Sequence, residues 1–202
     1  MAAEDDVPET YSNAYVVMDA KTGQVLLQKN MYEKEYPASI TKILTTALGL
    51  TYAKPEDRIT VSQETVSDVW KWGETTHLAL EPGEIITLKD ALYGAMVESA
   101  NDCANAIAQA VSGSLTDFAE LMNQQGAALG LSYTHFTNAH GLPDKDHYTT
   151  AYDMARITRW AMTVPGFEEY FCATEYTIPK TNKKDVARNI GTHHHMLVES
   201  AY

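Results

Sequence analysis

The stretch "PASITKILTTALGL", residues 37–50, sets the strongest limit on how this chain can fold. Pro37 suits the start of a helix, and Ile40, Ile43, Leu44, Ala47 and Leu48 recur at the spacing of one helical face. The predicted helix is amphipathic yet nearly apolar throughout, so other elements must bury it. Candidates follow along the chain. Thr87 reads as the N-cap of "LKDALYGAMVES", with Asp90 completing an imperfect capping box. "NDCANAIAQAVSG" and "LTDFAELMNQQGAALG" each close on a glycine, and "AYDMARITRWAMT" opens after Thr150 and stops at Pro165. At 45% apolar residues, 202 positions suffice for a sizeable core.

Strand signals are sparser. "AYVVMDA" (14–20) and "QVLLQKN" (24–30) flank Lys21-Thr22-Gly23, and Gly23 can take the positive φ of a tight turn. The pair reads as a hairpin whose exposed turn accounts for Lys21 and Thr22 on structural grounds alone. Residues 52–87 mix loops, short strands and a short helix, while 131–149 form a polar loop. Beyond Pro165 come a short helix, a strand around Glu175–Ile178, a polar loop and a final helical or extended piece. With no internal repeat or linker, residues 1–12 are expected to be a flexible leader and 13–202 one domain.

A formal net charge of −12, with only 15 Lys and Arg, argues against nucleic-acid or anionic-membrane partners. The chain has no apolar run of about eighteen residues that would span a bilayer. Cys103 and Cys172 could pair in an exported protein, but Cys103, inside an apolar helical run, reads rather as a buried free thiol that leaves Cys172 unpaired. The triple histidine His193, His194 and His195 makes no metal set, because alternate strand residues point to opposite faces and no Cys or acidic ligand stands at a telling spacing.

Two constellations carry chemistry. Ser39 and Lys42 share a helix face, in a first turn where desolvation and the helix dipole both oppose an ammonium. A lysine held so can lose its proton and take another from the serine, the activation a nucleophile needs. The bland alternative makes Ser39 an N-cap and lets Lys42 snorkel to solvent. Farther on, "VESANDCAN" sets Ser99, Asn101 and Asp102 between two apolar helices. Ser99 and Asn101 suit helix capping, or a proton-relaying hydroxyl and a substrate-holding amide.

Ser39-Ile-Thr-Lys42, Ser99-Ala-Asn101-Asp, "FTNAHGL" (136–142) and "HYTTAYDMA" (147–155), in this order, resemble the low-molecular-mass penicillin-binding proteins, the serine-type D-alanyl-D-alanine carboxypeptidases, from about Asn13 to the end. The resemblance implies an α/β (α+β) class, a β-lactamase/transpeptidase-like domain of helices packed on an antiparallel sheet. It assigns Ser39 as nucleophile, Lys42 as general base, Ser99 as proton relay and Asn101 as substrate-orienting group, with no metal or organic cofactor. The implied partners are a peptidoglycan stem peptide and β-lactams, trapped as esters at Ser39, in an extracytoplasmic setting. The family's third motif, a downstream Lys-Thr-Gly strand, is expected to be missing. The only such tripeptide is the hairpin turn at Lys21, so the sheet is expected to be incomplete, the chain being a fragment of a longer polypeptide, part of a swapped or complemented assembly, or a truncated gene product.

Two other readings stay open: a non-catalytic penicillin-recognising module, and a serine β-lactamase using Glu168 or Glu169. His140 reads as a hydrogen-bonded structural residue, and Trp70, Trp72, Tyr32 and Tyr36 as core or rim packing.

Overall fold

The computed structural model describes residues 10–193. The predicted buried helix is α1, Lys42–Tyr52, entered through a 3₁₀ turn at Ala38–Thr41. Leu44, Ala47 and Leu48 are fully buried, whereas Ile40 is 49% exposed. The tighter winding of the 3₁₀ turn takes Ile40 out of phase with the apolar face that follows.

Around α1 stand α2 (Gln63–Trp70), α3 (Leu88–Val97), α4 (Asn101–Ser112), α5 (Leu115–Ala128), α6 (Ala151–Ala161) and α7 (Phe167–Phe171). Helix α1 packs against α3, α4, α5, α6 and α7. Its own Leu44 and Leu48 meet Phe118, Met122, Phe136 and Ile157 in one cluster, and α3 and α4 build a second with Ile59, Val66 and Leu80. Replacing a leucine in such a site by alanine typically costs about 2–5 kcal/mol. The caps follow their sequence signals: Thr87 and Asp90 form both bonds of a capping box, and Thr150 accepts from the Asp153 N–H.

Strands pair antiparallel, two by two: β1 (Tyr15–Met18) with β2 (Val25–Lys29), β3 (Arg58–Thr60) with β4 (Ile85–Thr87), and β5 (Glu175–Ile178) with β6 (Arg188–Gly191). The class is α+β, with helices dominant. Among the described residues the antiparallel elements are these separate pairs rather than one broad sheet. Helix α6 covers β1, and α3 touches β5 and β6.

Residues 131–149 run as irregular chain, with Phe136, Ala139, His140 and His147 buried. Backbone bridges between His135 and Tyr148 and between Glu35 and Thr149 tie that segment down beside the 3₁₀ turn. Both cysteines are free, Cys103 buried and Cys172 exposed.

Candidate active site

Two residues other than glycine flank the candidate groups with left-handed backbone: Ala38 at φ 49° and Ser99 at φ 59°. Such conformations cost roughly 1–3 kcal/mol each and persist only where surrounding structure imposes them. At Ala38 the constraint is visible. A Cβ at Gly141, itself at φ +88°, would overlap the Ala38 carbonyl, so the 136–142 loop lies directly on the turn that presents Ser39.

More bonds fix that loop to α1. Thr45 Oγ1 donates to the Ala139 carbonyl at 2.7 Å, and Lys42 Nζ donates to the His140 carbonyl at 2.9 Å. His147 Nδ1 accepts from the Thr137 N–H, which leaves Nε2–H to donate to Thr41 Oγ1 at 2.9 Å. Burial, with the neighbouring His140 and His135, brings His147 down to about 4, so it stays neutral.

These contacts leave Ser39 exposed and Lys42 only 2% exposed. Lys42 Nζ also lies 3.1 Å from Ser39 Oγ. The amine therefore has two uncharged partners, a hydroxyl and a carbonyl. Desolvation lowers the lysine from 10.5 to about 7, while Cys103 and Asp102 on α4 pull it partly back. An amine near neutrality within hydrogen-bond reach of a hydroxyl can serve as a general base. Lys42 does not snorkel, and Ser39 makes no side-chain cap bond.

The second constellation stands at the α3–α4 junction. Ser99 is half-buried and Asn101 is 4% exposed. Neither caps α4, whose N-cap is Ala100 without a side-chain bond. Among the described residues Asn101 Oδ1 is a buried acceptor with no partner. Asp102 instead accepts from the Leu78, Leu80 and Cys103 N–H groups, which fastens the 76–80 segment to α4. Helix α4 packs on α1 and so brings its first turn toward Lys42.

A cavity of about 500 Å³ opens beside Ser39. Tyr36, Ala38 and Ser39 form one wall and residues 140–145 the other. Tyr36 is thus a rim residue; Trp70 and Trp72 are 49% and 42% exposed. His140 is buried, with Nε2 2.9 Å from Asp68 Oδ2 and Nδ1 accepting from the Leu142 N–H. Glu169 lies on α7, accepts from the Tyr93 hydroxyl at 2.8 Å and is no part of this cavity.

Lys21, Thr22 and Gly23 form the β1–β2 turn, with Asp19 Oδ1 accepting from the Lys21 and Thr22 N–H groups and from the Thr22 hydroxyl. Arg159 clamps the Ala20 and Lys21 carbonyls, which docks the turn on α6 away from the cavity at Ser39. Among the described residues no group of His, Cys, Asp and Glu could hold a metal. His193 meets Glu98 at 3.3 Å, and His194 and His195 lie outside the described residues. Thr41 lies inside Ser39-Ile-Thr-Lys42 and His147 inside "HYTTAYDMA", whereas Asp68 and Thr45 carry no signal of their own in the sequence.

This fold is the penicillin-binding, transpeptidase type. It superposes on penicillin binding protein 6B from Escherichia coli with a TM-score of 0.84 at 27% identity, covering 95% of this chain and 60% of that one. The chain belongs to the D-alanyl-D-alanine carboxypeptidase family, whose sequence model matches residues 1–198. It is 35% identical to D-alanyl-D-alanine carboxypeptidase DacF of Bacillus subtilis over 84% of this chain and 44% of that protein. Against DacC of Escherichia coli it is 36% identical over 77% of this chain and 41% of the relative. The chain thus spans less than half the length of these curated relatives.

Proposed function

We propose that residues 13–202 form a serine-active unit that hydrolyses the terminal D-Ala-D-Ala amide of peptidoglycan stem peptides. The observation that carries this reading is a buried lysine amine 3.1 Å from an exposed serine hydroxyl. Neutral Lys42 takes the proton of Ser39 Oγ as that oxygen attacks the amide carbonyl. The tetrahedral intermediate collapses as the C–N bond breaks, and Ser99 relays the lysine's proton to the departing D-alanine. Water, activated by the same amine, then cleaves the ester and restores Ser39. Asn101 orients the peptide, its open Oδ1 accepting a substrate N–H. Each proton transfer of this kind contributes about 10²–10⁴-fold to rate.

The Ser39 N–H supplies one donor for the oxyanion. The second donor, and a cation for the substrate's terminal carboxylate, come in this reading from a Lys-Thr-Gly strand of a longer polypeptide or of another chain. Loss of one such donor costs about 10²–10³-fold. β-Lactams acylate Ser39 in place of the peptide. Because stem peptides lie outside the cytoplasmic membrane, the protein works extracytoplasmically. Among the described residues no helix is long and apolar enough to cross a membrane.

The test is D-alanine release from a peptide ending in D-Ala-D-Ala, with Ser39→Ala alongside. Release that disappears with the serine is expected. Equal release by both proteins, or none from the folded parent, overturns the reading.

A further inference from the structure

We propose that Asp68 and His140 form a positioning pair for Lys42: a carboxylate–imidazole link between α2 and the 136–142 loop that holds the His140 carbonyl on the lysine amine and keeps water from it. The inference rests on the reading of Lys42 as the base for Ser39.

The peptide unit joining His140 to Gly141 is held from three sides. Its carbonyl accepts from Lys42 Nζ at 2.9 Å, and its N–H, that of Gly141, donates to Asn138 Oδ1 at 2.7 Å. The third hold is the His140 side chain. Because Nδ1 accepts the Leu142 N–H, the ring is neutral and its Nε2–H donates to Asp68 Oδ2 at 2.9 Å. Burial lowers His140 further below the usual imidazole range, while Asp68 partly opposes that shift. The ring is 2% exposed, enclosed by protein on nearly every side.

Asp68 is fixed in turn. Its Oδ2 accepts from Asn105 Nδ2 on α4 at 3.0 Å, and its Oδ1 pairs with exposed Lys71. The bond from His140 holds the Asp68 carboxyl well below the usual carboxylate range. Lys42 itself faces Asp102 and Cys103 from α4 and His140 from the loop. A purely structural role for Asp68, tying α2 to α4, would leave the titration of Lys42 untouched. A positioning role would not, since the lysine's burial depends on the loop that His140 anchors.

An NMR titration of isotope-labelled lysine in the full chain, with the Lys42 resonance assigned by Lys42→Arg, reads this directly. The parent midpoint is expected near 7. In Asp68→Ala the loosened loop hydrates the amine, and the midpoint rises by about one pH unit or more. Asp68→Asn, which keeps an acceptor for Nε2–H, stays closer to the parent. Should Asp68→Ala fail to fold, His140→Phe fills the same space without the ring's bonds and is expected to give the same rise. A Lys42 midpoint unchanged in whichever of these two proteins folds overturns the proposal. So does Asp68→Asn moving as far as Asp68→Ala. The inflection of penicillin acylation with pH should follow the same order. An unacylated parent would count against the Ser39 reading alone, because the titration needs no turnover.

Discussion

Two polar turns in this chain each set a lysine beside a hydroxyl residue, and their environments make them opposites. In the β1–β2 turn Lys21 and Thr22 are exposed, and Asp19 takes up the turn's N–H groups, chiefly that of Thr22, which holds its carboxyl below the usual range. In the turn before α1 the hydroxyl is exposed, the lysine is buried, and no carboxylate caps the helix. Lys-Thr-Gly has the spelling of a catalytic motif and the surroundings of a turn. Ser-Ile-Thr-Lys has a common spelling, and its chemistry comes from burial. In the proposed mechanism, reactivity belongs to the desolvated amine rather than to the tripeptide.

The comparison breaks most readily at the lysines. Lys42→Met is expected to slow penicillin acylation by about 10²–10⁴-fold, the usual contribution of a general base, as followed by fluorescent-penicillin labelling. The glycines come next. Gly141→Ala meets both a left-handed φ and the Ala38 carbonyl, with Thr41 Oγ1 at 2.9 Å, and should lower unfolding free energy by ~2–5 kcal/mol in urea titrations. Gly23→Ala has the same kind of φ, +77°, but meets only side-chain atoms of Arg159 at 3.2 Å or more, so its cost should be about 1 kcal/mol.

A smaller effect sharpens the contrast through pH. Lys42 is depressed from 10.5 to about 7. Between those values the unfolded chain holds a proton that the native chain lacks, so this group makes stability rise with pH across the window. The burial penalty is largest below about 7, where native Lys42 is charged. Lys42→Met should therefore stabilise the fold, and its advantage should shrink as pH climbs toward about 10, measured as the parent–variant difference in chemical denaturation. The smallest effect is at the decoy: Lys21→Ala should change stability by less than about 0.5 kcal/mol and leave acylation unaltered.

Much of this was legible in sequence because it is local. Periodicity located α1, glycines closing apolar runs located α4 and α5, and residue type located the cap at Thr87 and the start of α6 at Thr150. Ser39 and Lys42 were legible as a pair because i and i+3 share a face. What burial does to that pair was not. Lys42 is closed off by residues nearly a hundred positions downstream, through its own bond to the His140 carbonyl and the Thr45 bond to the Ala139 carbonyl, which have no periodic signature. Asp68 looks like an ordinary helix-surface acid until the fold sets it against His140. The capping reading of Ser99 and Asn101 was reasonable by residue type. It gives way because Ser99 takes left-handed backbone and Ala100 becomes the N-cap.

The proposed mechanism makes Ser39 a nucleophile activated by a lysine that loses its proton near pH 7. The most direct test is the rate of penicilloyl-ester formation at Ser39 against pH, read by intact mass and peptide mapping. The account predicts a stoichiometric adduct on Ser39, absent in Ser39→Ala, whose rate rises through an inflection near 7. An adduct elsewhere, a rate that keeps rising toward the ordinary lysine range near 10.5, or no adduct on the folded chain would contradict it.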